Sequence, residues 1–189
     1  MSTQLKKALY NISALVDLGQ AITSVNDFQD KIQSALYVIT GTFLAKKGAI
    51  LSYDKSTNRL NTLIQKGFAR DDLDRIKPEE LISLGKNEPC LIGYDPVPPV
   101  AGAEILTPLW VRDEFIGALI LGGKLTVGPY TLEELELINV IANQIAIVIN
   151  NHALFMDLSE KLEENRRLYE EMRHIYHGTL QAFAAAIDA

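Results

Sequence analysis

Cysteine and histidine are the side chains here best suited to covalent or metal chemistry, and both are scarce: one cysteine, Cys90, and three histidines, His152, His174 and His177. His174 and His177 are three apart in a helical pattern, so they share a face. Two ligands without a nearby third do not make a metal site, and none is expected. Gly122-Gly123-Lys124 has the composition of a phosphate loop but not its spacing, and reads as a strand end. No Gly-x-Ser-x-Gly, Walker or Gly-x-Gly-x-x-Gly motif occurs. Glu133, Glu134 and Glu136 cluster where a helix begins, which is where carboxylates meet the positive end of the helix dipole. Cys90 sits beside apolar residues and reads as a small buried hydrophobe. No catalytic residue is assigned, and this chain by itself is expected not to be an enzyme.

Composition narrows the classes further. The chain has 189 residues and a formal net charge of −6, with 48% apolar residues. That is enough apolar surface for a full core in one domain with an appended segment. The acidic balance argues against nucleic acid as a partner. The N-terminus lacks the apolar run of a secretory signal. The most apolar window, Ile138–Ile149, is shorter than the ~20 residues of a membrane span and is interrupted by Asn139, Asn143 and Gln144. The expectation is a cytoplasmic protein with no membrane contact from this segment.

The elements follow from periodicity. Leu5, Leu9, Ile12, Leu15, Val16 and Ile22 mark one helix, and Phe28, Ile32, Leu36 and Ile39 a second, opening at Asp27. Gly48–Tyr53 and Arg59–Phe68 read as a hairpin around a five-residue connection, Asp54–Asn58. Asp71–Ser83 is polar and helical in composition, with Pro78 in a first helical turn. Glu88–Ile92 reads as a short strand that Pro89 confines to an edge or a strand start, and Gly93–Gly102, with Pro96, Pro98 and Pro99, as a loop. Glu104–Val111 and Phe115–Gly122 form the strongest hairpin signal, around Arg112-Asp113-Glu114.

From Thr131 to about Ile187 the period is helical throughout, which at ~1.5 Å per residue gives roughly 85 Å. The first half is apolar on most sides. In the second, Phe155, Leu158, Leu162, Asn165, Tyr169, Met172, Tyr176, Thr179 and Phe183 recur at spacings of three and four, a heptad seam with charged residues outside it. A narrow stripe needs a partner, and the same helix of a second chain supplies one, so a homodimer through the terminal helices is expected. Asn165 would fix the register of that seam. Leu168 and Ile175 broaden the stripe and support a second register.

Lys47-Gly48-Ala49-Ile50-Leu51-Ser52-Tyr53-Asp54, Pro108-Leu109-Trp110-Val111, Glu114-Phe115-Ile116-Gly117-Ala118-Leu119 and Tyr130-Thr131-Leu132-Glu133-Glu134-Leu135, leading to Ala142-Asn143-Gln144-Ile145-Ala146-Ile147, resemble in order and spacing the stretches of a GAF domain. The resemblance covers roughly residues 13–154. It implies an α+β fold: a central antiparallel sheet of five or six strands, N- and C-terminal helices packed on one face, a small-molecule pocket on the other, and a long C-terminal signalling helix. The implied organisation is an N-terminal helix over 1–25, the GAF domain over 26–154, and a coiled-coil linker helix over 155–189. Pocket lining is expected from the strand faces turned away from the helices and from the 93–102 loop, with Phe68, Cys90, Tyr94, Thr107 and Trp110 as its residues.

The resemblance also brings ligand classes to test. Haem needs an axial histidine in the pocket, and all three histidines sit on the terminal helix. A covalent bilin commonly uses a Cys-His pair, whereas Cys90 is followed by Leu91. The Asn-Lys-Phe-Asp-Glu set of cyclic-nucleotide GAF domains is missing, with Lys86-Asn87-Glu88 only reversing its first pair. No cofactor is assigned.

Thr179–Ala189 resembles the opening helix of HD-GYP phosphodiesterase domains, which implies a cyclic-di-GMP output domain beyond Ala189. The implied role is that of a bacterial sensory or regulatory module acting on that output through a dimeric helix. The alternatives are a ligand-free dimerisation scaffold and the GAF module of a diguanylate cyclase or histidine kinase. A small methionine-sulfoxide-reductase-type enzyme shares the fold, but it needs several reactive cysteines.

Overall fold

The computed structural model describes residues 27–85, 89–91 and 100–187, with the backbone alone for 179, 180 and 182–187. The expected first helix lies outside these residues. Helix α1 spans Phe28–Thr42 and opens where the Asp27 carboxylate accepts from the Gln29 amide. Strands β1 (Gly48–Asp54) and β2 (Arg59–Lys66) form the first hairpin. Its connection is four residues rather than five, because Asp54 completes the register opposite Arg59. The Asp54 carboxylate folds the turn by accepting from the Ser56 hydroxyl at 2.7 Å, the Ser56 amide at 2.9 Å and the Thr57 hydroxyl at 2.8 Å. These bonds, the Ser56 hydroxyl foremost, hold its pKa below the ordinary range.

The polar, helical stretch holds two short helices, α2 (Arg70–Leu73) and α3 (Pro78–Ser83), the second with Pro78 in its first turn as expected. Lys77, placed before a proline, takes extended angles (φ −92°, ψ 135°), so no helix runs through it. Strand β3 is Cys90–Leu91, followed by β4 (Ala103–Val111) and β5 (Glu114–Gly122). Helix α4 runs Leu132–Ile187. It starts in a reciprocal cap: the Glu134 amide donates to the Thr131 hydroxyl, and the Thr131 amide donates to the Glu134 carboxylate at 2.8 Å.

The five strands lie in the order β2-β1-β5-β4-β3, all antiparallel. One face is covered by helices. Ile32, Leu36 and Ile39 of α1 and Ile138, Ile141, Ile145 and Ile149 of α4 pack with Ile50, Ile105, Leu109, Leu119 and Leu121 of the strands. The other face carries Leu73, Ile76 and Leu81 from α2, α3 and their connection. This is the α+β architecture that the resemblance implied. By contact density the chain divides into two units, Met1–Asn150 and Asn151–Ala189.

Gly117 in β5 lies against β1, and a Cβ there would collide with the Leu51 carbonyl oxygen. Gly41, inside α1, has nothing within 4 Å of a built Cβ. Urea unfolding should therefore show Gly117→Ala losing about 2–4 kcal/mol. Gly41→Ala should gain about 0.5–1 kcal/mol from helix propensity.

Candidate functional site

Strand alternation builds the face turned away from the helices. Register partners Gln65, Ala49, Ile120, Leu106 and Cys90 line up across the sheet, one from each strand. Partners in an antiparallel ladder share a face, so this row lies on one side, apolar at its centre and polar at both ends. Ala49, Ile120 and Leu106 pack there with Phe68, Leu81 and Val100. A second row holds Tyr53, Phe115 and Trp110, with ring centroids 5.2 Å apart for Tyr53–Phe115 and 5.5 Å for Trp110–Phe115. Trp110 is four residues from Leu106 along β4, or about 13 Å at the rise of a strand.

Of the five residues expected in the pocket, Phe68 and Cys90 accompany the first row and Trp110 belongs to the second. Thr107 does not belong to this face. It pairs with Leu119, which packs under the helices, and it follows Leu106, which faces the other way. The period of two along a strand forbids Thr107 and Trp110, three apart, from sharing a side without a bulge between them that shifts β4 itself. Thr107 is fully buried on the helix side, and its hydroxyl has no hydrogen-bond partner among the described residues. Tyr94 lies outside the described residues.

Sequence reasoning missed two groups. Lys47 precedes β1 with the parity of Ala49, so it shares the face, and its ammonium stands 5.3 Å from the centre of the Phe68 ring. Its stem runs through a slot between Gly67, Gly102 and Gly122. Cβ atoms built there would come 3.1 Å from its Cγ, 2.7 Å from its Nζ and 2.8 Å from its Cβ. Three distant segments thus leave out side chains where this lysine passes. Gln65, at the end of the first row, holds its side-chain oxygen buried without a hydrogen-bond partner among the described residues. Lys47 and Phe68 thus set a cation against an aromatic ring at this corner, and Gln65 places an amide acceptor in the neighbouring row.

This corner connects to the start of α4 through Gly122. The Gly122 amide donates to the Lys47 carbonyl at 2.9 Å, and its own carbonyl accepts from the Tyr130 hydroxyl at 2.7 Å. Burial, with Glu104 and Glu134 nearby, pushes the Tyr130 phenol well above its ordinary pKa, so it stays a donor. Lys124 stands over the Tyr130 ring and pairs with Glu134 at 2.7 Å. Burial pushes Glu134 upward, but the bonds from Lys124 and Thr131 outweigh it and hold its pKa below the ordinary value.

In the second unit the expected seam is laid out along one helix. Phe155, Leu158, Leu162, Tyr169, Met172 and Tyr176 are each 57–66% exposed, and Asn165 is exposed among them. Leu168 and Ile175 are exposed as well. Outside the stripe, Lys161–Asp157, Arg166–Glu170 and Arg167–Glu171 pair at one helical turn. His174 and His177 lie in this unit, and among the described residues no group of three or more His, Cys, Asp or Glu could hold a metal ion.

The family model described as "GAF domain" matches residues 51–149, just over half of the chain. The chain belongs to the GAF domain family. Its fold is similar to that of the GAF domain of a putative sensor histidine kinase from Pseudomonas syringae pv. tomato, at 18% identity and a TM-score of 0.63, covering 84% of this chain and 97% of that one. It is also similar to a GAF domain/HD domain protein from Geobacter sulfurreducens, at 15% identity and a TM-score of 0.55, covering 70% and 98%. A third similar structure is the free methionine-R-sulfoxide reductase from Neisseria meningitidis with its substrate, at 13% identity and a TM-score of 0.59, covering 77% and 90%. At these identities the likeness concerns the fold. No curated protein matches the sequence. Among the described residues no helix of this GAF domain is long and apolar enough to cross a membrane.

The position of Thr107 is open to a direct check. Thr107→Val replaces an unpaired buried hydroxyl by a methyl of similar size. It should raise stability by about 1 kcal/mol in urea unfolding, whereas a hydroxyl that faced a polar pocket would make the change destabilising.

Proposed function

We propose that this GAF domain is the sensory module of a cytoplasmic bacterial signalling protein, without catalysis of its own. It takes a small molecule at the Lys47–Phe68 corner and acts on a C-terminal output domain through paired α4 helices. The observation that carries this reading is the exposed apolar stripe from Phe155 to Tyr176, on the same helix whose first turns pack on the sheet. A ligand held by Lys47 would bear on Gly122, and through Tyr130 on the start of α4. To regulate anything it must bind one arrangement of the paired helices better than the other. An HD-GYP cyclic-di-GMP phosphodiesterase is the proposed output, on the strength of the Thr179–Ala189 resemblance. A diguanylate cyclase or histidine kinase would use the same helix in the same way.

One observation favours the scaffold reading instead. Ala49, Ile120, Leu106 and Leu81 are all 0% exposed, so the centre of the ligand-side face is filled by the protein's own side chains. A ligand must then sit at the corner or displace part of that layer.

Two measurements separate the readings. A sensor screened against a metabolite panel should show a saturable thermal shift, worth about 2.7 kcal/mol at a hundredfold excess over Kd, and a scaffold should show none. In either reading sedimentation should give a dimer at high micromolar concentration, dispersed to monomer by Leu162→Asp. A monomeric wild type would remove the transmission argument.

A further inference from the structure

A second site stands apart from the Lys47–Phe68 corner, at the opposite end of the sheet. A groove of about 580 Å³ runs between the start of β2 and the connection from α2 to α3. Leu60, Ile76 and Pro78 give it an apolar floor, and Arg59, Arg75 and Lys77 reach it from two sides. Arg75 and Lys77 flank Ile76, which is buried while they are exposed, so the extended connection turns both cations outward. None of the three is in an ion pair among the described residues. Set against the two acids that share the lining, Asp74 and Glu79, the three cations leave the groove a formal charge of +1, opposite in sign to the −6 of the whole chain.

Of the two acids in the groove, Asp74 and Glu79, Glu79 is held in place by hydrogen bonding. Its carboxylate accepts from the Asn58 amide group at 2.8 Å, and the Asn58 side-chain oxygen accepts from the Tyr53 hydroxyl at 2.9 Å. The Asn58 bond, the largest cause, holds the Glu79 pKa below its ordinary value. The chain Tyr53–Asn58–Glu79 ties the β1–β2 turn to α3, so both walls are fixed before anything binds. Asn61 also borders the groove.

We propose that this groove binds a small organic oxyanion, a carboxylate or a phosphate monoester, with an apolar body: the body lies on Leu60, Ile76 and Pro78, and the oxyanion meets Arg59, Arg75 and Lys77. The volume is that of a small-molecule site, and the pairing of apolar floor with convergent charge is what such sites use. This inference does not depend on ligand binding at the Lys47–Phe68 corner.

The test is a titration of ¹⁵N-labelled protein followed by amide shifts, with phenyl phosphate and benzoate as probes. At least one of them should move the amides of Asn58, Arg59, Arg75 and Lys77 along a saturable curve, and the tighter of the two names the oxyanion. Benzyl alcohol, with the body but no charge, and inorganic phosphate, with the charge but no body, should each bind at least about tenfold more weakly. Arg75→Glu/Lys77→Glu should weaken the better probe by about tenfold or more. Arg59→Gln, on the opposite wall, should also weaken it and keeps the test decisive if the double variant does not fold. The proposal is overturned if neither probe saturates, if the shifts centre on Phe68 or α4, if benzyl alcohol binds equally well, or if the folded variants bind like the wild type.

Discussion

An apolar row on a helix in water has to be covered. Covering one Leu or Phe side chain is worth about 1.5–3 kcal/mol, while an exposed pair one helical turn apart contributes about 0.3–0.5 kcal/mol. The second unit has both kinds of feature: the exposed stripe from Phe155 to Tyr176, and the pairs Lys161–Asp157, Arg166–Glu170 and Arg167–Glu171. The magnitudes decide between them. The pairs trim the helix surface, and the stripe sets what the helix needs. A heptad row met by its own copy would satisfy that need over its whole length, and the proposed signalling role depends on that proposed dimer.

The sheet of the first unit has two faces with different duties. Under α1 and α4 it is a packed core, closed to the point that the Thr107 hydroxyl has no hydrogen-bond partner among the described residues. The opposite face is filled at its centre, so its polar groups lie at the margins, with Lys47 and Gln65 at one end and the Tyr53–Asn58–Glu79 chain at the other. Gly122 joins the two duties. It gives Lys47 room to pass, and its peptide group bonds both Lys47 and Tyr130. A side chain at this position would push on the lysine and on the Gly102 carbonyl together.

Local chemistry made much of the fold legible in the sequence. The Thr131–Glu134 cap, the strand alternation from Glu104 to Gly122 and the Asp27 cap are one-dimensional signals, and the elements stand where those signals put them. The start of α3 is also written locally, in the Lys77-Pro78 step, whereas α2 is a single turn without a side-chain cap and leaves no such mark. Thr107 was a parity error: counting from Trp110 along β4 turns it to the helices. Lys47 was hidden for a different reason. Its slot is assembled from Gly67, Gly102 and Gly122, and nothing near Lys47 in the sequence announces glycines that far away. Tertiary sites of that kind become visible only when the strands are in register.

Oxidative cross-linking of single-cysteine variants, with Cys90→Ala as background, tests the paired helix most directly. In a parallel in-register seam Leu158 faces its own copy at a distance a disulfide spans, whereas Glu160, about 200° further round the helix, faces away. The account predicts rapid and near-complete cross-linking of Leu158→Cys and little of Glu160→Cys. Equal cross-linking at both positions, or none at Leu158→Cys in a folded protein, would contradict it.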